Sequence, residues 1–237
     1  MTRVWIDAGH GNSDPGAVNG ERREADDNLR LAKTVKAVLE KRGFITGMTR
    51  TSNSFTTGRV QAAAEFKADV YLSLHRNDNE GTSGNGYETI TKEKYSKADN
   101  TLAQAIHNRI IAAGVQRDRG IKRINLQTLT AIPVSMAACT MEFGFIRDSR
   151  DNELFDQNMQ RYAEAVAGGV IDIYGAPVTP YEYKTQDALD ILRHIAGISV
   201  LAPERVKLFD FDKTGVLTTA DALRVLQIAA GLNPDGA

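Results

Sequence analysis

Three short apolar runs in this chain each break off at a residue able to carry chemistry, and segments of helical period lie between them. Val4-Trp5-Ile6-Asp7-Ala8 stops at Gly9-His10-Gly11, Asp69-Val70-Tyr71-Leu72-Ser73-Leu74 delivers His75, and Ala137-Ala138-Cys139-Thr140-Met141 delivers Glu142. Short apolar runs bounded by turn residues read as buried strands, and strands alternating with helices read as α/β. The expected fold class is therefore α/β, a mostly parallel twisted sheet flanked by helices on both faces. Ligands of such sheets bind in the crevice outside the strand C-termini. His10, His75 and Glu142 converge there if their strands are parallel neighbours. Imidazole and carboxylate together suit zinc, and a catalytic zinc takes three protein ligands plus water.

Around these runs the sequence predicts a strand over 3–8, a polar loop over 9–24, a helix over 26–42 and a strand over 44–48. A short helix over 57–66, a loop over 77–86, a strand over 87–91 and helices over 96–114 and 152–174 complete the first part. Arg117-Asp118-Arg119-Gly120-Ile121-Lys122 reads as a basic turn, either a solvated one or one that approaches a substrate. His107 and His194 have no partner signal and read as structural. Cys139, the single cysteine, reads as an inert core thiol and excludes an intrachain disulfide.

The formal net charge of -1 gives no basic field, which argues against nucleic acid and against a membrane surface as partners. No apolar run approaches the roughly 18 residues of a membrane span. The N-terminus enters a strand without a basic and then apolar leader, so synthesis in the cytoplasm without a signal peptide is expected.

Beyond Gly175 the texture changes. Residues 176–184, with Pro177, Thr179 and Pro180, read as a linker, leaving 1–175 as one domain and 185–237 as a small all-α module. Asp187-Ala188-Leu189-Asp190-Ile191-Leu192 is echoed by Asp221-Ala222-Leu223-Arg224-Val225-Leu226, an internal duplication. Ala188, Leu189, Leu192 and Ile195 are expected to pack on Ala222, Leu223, Leu226 and Ala229. Ahead of the second copy, Asp210, Asp212, Thr214, Val216 (through its carbonyl), Thr218 and Asp221 follow the spacing of a twelve-residue calcium loop, with Gly215 at its sharp turn. Asp221 and the Asp-Ala-Leu helix resemble a dockerin repeat. The first copy has no such ligand series, so at most one calcium is expected.

The ordered set Asp7-x-Gly9-His10-Gly11, Asp14-Pro15-Gly16-Ala17, Glu24-x-x-x-Asn28-Leu29, Ser73-Leu74-His75-x-Asn77, Gly86-x-Glu88 and Glu142-x-Gly144-Phe145 resembles the zinc-dependent N-acetylmuramoyl-L-alanine amidases of the amidase-3 type. The resemblance covers residues 1 to about 174. It implies zinc held by His10, Glu24 and His75, and Glu142 as the catalytic carboxylate. It implies peptidoglycan as substrate, cut at the amide joining the lactyl group of N-acetylmuramic acid to L-alanine. Periodicity alone does not choose between Glu21 and Glu24; the Glu-x-x-x-Asn-Leu match favours Glu24. Arg76 stands where the family usually has a hydrophobic or small residue, a departure expected to place a charge near the substrate cleft.

A wall-degrading activity without a leader suggests a phage or prophage endolysin that acts at the cell wall after release. The small module is then expected to serve wall attachment or self-association sooner than a cohesin-like partner. Two rival readings are a non-catalytic wall-binding or scaffold protein on the same fold, and a zinc hydrolase of small peptides.

Overall fold

The computed structural model describes residues 1–54, 58–78, 84–176 and 181–232. The chain forms two compact units, Met1–Val178 and Thr179–Ala237. In the first unit the elements run β1 (Arg3–Ala8), β2 (Val18–Asn19), β3 (Arg22–Arg23), α1 (Glu24–Lys41), β4 (Ile45–Met48), α2 (Arg59–Glu65), β5 (Val70–Asn77), β6 (Tyr87–Thr91), α3 (Lys97–Ala113), β7 (Asp118–Arg123), α4 (Gln127–Thr130), β8 (Ala137–Phe145) and α5 (Ser149–Tyr174). Six strands form one sheet in the order β4-β1-β5-β8-β6-β7. The pairs β4–β1, β1–β5 and β5–β8 are parallel, β6 runs antiparallel to β8, and β7 runs parallel to β6. The sheet is thus mixed but mostly parallel, with helices on both faces, as the alternation of patterns implies.

The two faces are covered unequally. Alternate strand residues point to opposite faces, and Val4, Ile6, Val70, Leu72, Leu74, Cys139, Met141 and Phe143 join one core with α1, α3 and α5. Trp5, Tyr71, Ile90 and Ala138 lie on the other face, over a smaller core that includes Ala63 of α2 and Leu129 of α4. Asp7, Ser73, His75, Glu88 and Glu142 share the parity of this second set.

Several boundaries differ from the sequence expectation. Helix α1 begins at Glu24, inside the stretch expected to be loop, and a two-stranded ribbon of β2 and β3 precedes it. Its N-cap, Arg23, makes no side-chain cap; Glu24 N and Ala25 N donate instead to Ala17 O (2.9 Å) and Pro15 O (3.0 Å), and Glu24, Asp26 and Asp27 in the first turn complement the helix dipole. Residues 118–123 form edge strand β7 instead of a turn. An edge strand needs little apolar surface, and Ile121 alone joins the main core. Pro177, Thr179 and Pro180, Thr57 and the middle of the 77–86 loop lie outside the described residues.

The second unit holds α6 (Thr185–Ile195), α7 (Pro203–Phe209) and α8 (Thr219–Ala229). Its core is Ala188, Ile191, Leu201, Phe209, Leu217, Ala222 and Val225. The expected leucine contact between the repeat helices is therefore wrong. Leu189, Leu192, Ile195, Leu223 and Leu226 are each 41–56% exposed. Phe209, from a segment outside the duplication, fills the interior, so α6 and α8 bury their Ala and β-branched stripe and turn the leucines outward. The duplicated aspartates also differ: Asp187 accepts from Arg205 Nη2 (2.7 Å), Tyr181 Oη (2.7 Å) and Lys184 N (2.8 Å). Asp221 accepts instead from Phe211 N (3.1 Å), Thr218 N (2.8 Å) and Thr218 Oγ1 (2.8 Å). No helix among the described residues is long and apolar enough to cross a membrane.

Candidate metal centre

After β1 the chain stays beside β5 for one more residue through Gly9 N→Leu74 O (3.1 Å), then turns at His10 with φ 60°. A left-handed non-glycine residue costs about 1–3 kcal/mol and persists only when its surroundings over-determine it. Two guanidiniums supply that constraint by holding three successive carbonyls. Arg50 donates to Ala8 O (3.1 Å) and Gly9 O (3.0 Å), and Arg59 to Ala8 O (2.9 Å) and His10 O (2.8 Å). Beneath them buried Asp7 accepts from Thr49 (2.7 Å), Arg59 (2.7 Å) and Ser73 (2.8 Å). Burial alone would raise the Asp7 pKa, but Arg59 and Thr49 outweigh it and hold the carboxyl below its usual value. The sequence carried no signal for Arg50 or Arg59, because the carbonyls of Ala8, Gly9 and His10 that they hold lie some 40 or more residues away.

Glu24 is buried at the first position of α1. Its Oε1 lies 3.2 Å from His10 Nε2 and 2.9 Å from His75 Nδ1, and accepts from Arg76 N (3.0 Å) and Asn28 Nδ2 (3.2 Å). Oε2 accepts from Ala17 N (3.0 Å). His10 turns its Nδ1 to Asp14 Oδ2 at 2.8 Å, which orients the ring. Two glycines of the quoted motifs are explained by close approach: a Cβ on Gly9 would stand 2.3 Å from His75 Cε1, and one on Gly16 would stand 2.6 Å from Glu24 Oε2. Glu21 is exposed and takes no part in the cluster.

The electrostatics follow from this crowding. Burial would raise the Glu24 carboxyl, but the two imidazoles reverse the effect and hold it far below its ordinary value. Burial would lower His75, yet Glu24 and Glu142 push it up to about 9. His10 is raised as well, with Glu24 outweighing its burial.

Glu142 sits beside His75 in the parallel register of β5 and β8, and opposite Glu88 in the antiparallel register of β8 and β6. Its Oε2 is buried without a hydrogen-bond partner among the described residues. Burial pushes its carboxyl up to about 7 against the pull of His75, with Glu24 and Glu88 adding repulsion. Glu88 is held below the usual carboxyl range: burial opposes this, but Lys122 Nζ (2.6 Å) and Arg119 Nε (2.5 Å) share its Oε2 while Asn77 donates to Oε1 (3.0 Å).

Arg76 does not face the cleft. Its side chain is fully buried and donates to Asp27 (2.5 Å), Asn152 (2.6 Å) and the Gly144 (3.3 Å) and Phe145 (3.5 Å) carbonyls, over the Phe155 ring. Strand parity turns it away from His75, toward the helices. His107 is buried, its ring between Thr89 Oγ1 and Asp118 Oδ1 (3.0 Å each), and His194 Nδ1 accepts from Leu201 N (3.2 Å). Burial raises the Cys139 thiol to about 12.

The donor atoms of His10, Glu24 and His75 lie within 4.8 Å of one another. Ligands at about 2.0–2.1 Å from a tetrahedral zinc stand roughly 3.3 Å apart, close to the 3.2 Å and 2.9 Å from Glu24 to the two rings. Two imidazoles, one carboxylate and the orphaned Glu142 oxygen alongside are a donor set that fits zinc. Asp210, Asp212 and Asp221 form a second such group, with Thr214 Oγ1 bonded to Val216 O (3.1 Å) and Thr218 capping Asp221.

The first unit is similar in sequence and fold to known proteins. The profile of the N-acetylmuramoyl-L-alanine amidase family (Amidase_3) matches residues 4–172. N-acetylmuramoyl-L-alanine amidase LytC of Bacillus subtilis is 31% identical over 176 residues, 72% of this chain and 35% of LytC. The endolysin of Bacillus phage SPP1 is 35% identical over 181 residues, 72% of this chain and 65% of the endolysin. The catalytic domain of CwlV, the N-acetylmuramoyl-L-alanine amidase from Bacillus (Paenibacillus) polymyxa var. colistinus, superposes with a TM-score of 0.69 at 28% identity, covering 75% of this chain and all of that domain. The chain thus spans about a third of LytC and about two thirds of the phage endolysin. With the family profile matching residues 4–172, well over half of the sequence, the chain belongs to the N-acetylmuramoyl-L-alanine amidase family.

Proposed function

We propose that this chain hydrolyses the amide between the lactyl group of N-acetylmuramic acid and the L-alanine of the peptidoglycan stem peptide. The observation that carries the reading is the His10–Glu24–His75 cluster beside Glu142 with its unpartnered buried oxygen. In this reading the three residues would hold zinc, which when bound would supply Lewis acidity toward the carbonyl and make the attacking water more acidic. Glu142 accepts the proton as the water oxygen bonds to the carbonyl carbon, and returns it to the nitrogen as the C–N bond breaks. A carboxyl near 7 suits both transfers. Asp14 fixes the His10 ring, and Gly9 and Gly16 let the ligands close up.

Residues 1–175 are the catalytic part in this proposal, 176–184 a linker, and 185–237 a dockerin-like module. That module takes one calcium through Asp210, Asp212, Thr214, the Val216 carbonyl, Thr218 and Asp221, and serves wall attachment or self-association. The similarity to a phage endolysin supports a phage or prophage origin and release to the wall.

The test is digestion of purified peptidoglycan by the zinc-loaded chain, with mass spectrometry of the fragments. Free L-alanine amino termini on the released peptides are expected, and Glu142→Gln should keep zinc while losing about 10²–10⁴-fold in rate. Cleavage at another bond, or of soluble peptides only, refutes the reading.

A further inference from the structure

The end of the sheet that carries His75 extends into a row that the proposed chemistry does not use. His75 on β5 pairs with Glu142 on β8, and Glu142 with Glu88 on β6. Arg119 and Lys122 of β7 then close on Glu88. The four strands are consecutive in the sheet, and β7 is its edge. Two cations therefore meet one buried carboxylate, where a single cation would neutralise it. Glu88 offsets one of these two charges. Arg119 spends only Nε on Glu88, and its guanidinium stacks on the Phe145 ring at 4.8 Å. Among the described residues neither Nη has a hydrogen-bond partner. Both side chains are partly open, Arg119 at 25% and Lys122 at 36% exposure.

Distance decides what this surplus charge can meet. Neighbouring strands stand about 4.8 Å apart, so β7 lies roughly 10 Å from Glu142 along the sheet. The Arg119 side chain reaches back toward Glu88 and shortens that gap. An extended peptide advances about 3.4 Å per residue. A peptide leaving the Glu142 site along the sheet covers about 7 Å in two residues, and the inward reach of Arg119 to Glu88 closes the remaining gap.

We propose that Arg119 and Lys122 form a carboxylate-binding lip that reads the stem-peptide residue following L-alanine, favouring a free carboxyl over its amide. Guanidinium and ammonium donate charge-assisted hydrogen bonds to a carboxylate, whereas a primary amide offers one neutral acceptor and two competing donors. Glu88 positions both cations, and Asn77 fixes Glu88 from the β5 side. The proposal rests on the amidase reading for the identity of the peptide.

The probes are N-acetylmuramoyl-L-alanyl-D-glutamate and N-acetylmuramoyl-L-alanyl-D-isoglutamine, which differ only in that carboxyl. Binding of each to the zinc-loaded full chain carrying Glu142→Gln is measured by calorimetry, and cleavage of each by the unsubstituted chain is measured separately. The free carboxylate should bind at least about tenfold tighter, the scale of one charge-assisted contact. The ratio should collapse toward one in Arg119→Gln or Lys122→Gln, each of which leaves Glu88 a cation and so keeps the fold. Equal binding of the two peptides, or a preference that survives both substitutions, overturns the lip. Preference without cleavage of either peptide keeps the lip and removes the amidase reading. Cleavage without preference does the reverse.

Discussion

Replacing Arg76 with methionine should destabilise the first unit severely while leaving every proposed zinc ligand in place. The Arg76 side chain is 0% exposed and that of its partner Asp27 is 3% exposed, so the pair is desolvated on both sides. Removing one partner of a buried ion pair typically costs about 3–5 kcal/mol, because the other charge is left behind. Arg22 Nε also reaches Asp27 Oδ2 at 2.6 Å, which places the expected loss near the lower end, about 3 kcal/mol. In a domain of this size that is a fall of roughly 6–12 °C in Tm. Arg76→Lys should fall between, since one ammonium can serve Asp27 but not also Asn152 and the Gly144 and Phe145 carbonyls. Thermal unfolding of the zinc-free chain, followed by far-ultraviolet circular dichroism, is the assay. A shift under about 2 °C for Arg76→Met would refute the claim that this arginine anchors α1 to β5 and β8.

Gly9→Ala should weaken zinc binding by at least about tenfold in chelator competition, as its Cβ would press 2.3 Å from His75 Cε1; unchanged affinity would show that the ring has room to move. Zinc ligation needs a deprotonated ring nitrogen, and His75 in the metal-free protein is raised from 6.5 to about 9, so binding at pH 7 should release protons and tighten as pH rises toward 9. Because that folded pKa lies above the unfolded one, the stabilisation is complete below about 6.5 and lost as pH rises through 9; a metal-free Tm that climbs over this window contradicts it. Calcium titrated into the full chain should bind once and fail to bind in Asp210→Ala, since Arg205 already occupies the matching position at Asp187; two bound ions would refute this.

The strand leading to His10 and the strands carrying His75 and Glu142 were legible because each holds a short apolar run that breaks at a polar residue, and burial in a parallel sheet demands such runs. Edge strand β7 was not legible: with one neighbour and one covered face, it keeps Ile121 as its single core residue and reads as a basic turn. The fate of Arg76 was hidden for a different reason. Its partner Asp27 is 49 residues away, and only the fold shows that strand parity turns the side chain from the cleft. In the second unit, periodicity marked both repeat helices but misjudged their buried stripe, because Phe209 comes from α7, outside the duplication.

The uneven cover of the sheet gives the strands a grammar. Along β5, Val70, Leu72 and Leu74 face the three long helices, while Tyr71, Ser73 and His75 face the thinly covered side; along β8, Cys139, Met141 and Phe143 alternate in the same way with Ala138, Thr140 and Glu142. Damage to the first set empties a core, and damage toward the ends of the second disarms a site. In a saturation scan, harm to cellular abundance and harm to turnover should therefore beat in antiphase, one residue apart, down each central strand. Substitution at the site end of the second set can therefore change the chemistry of the sheet edge while both cores stay filled.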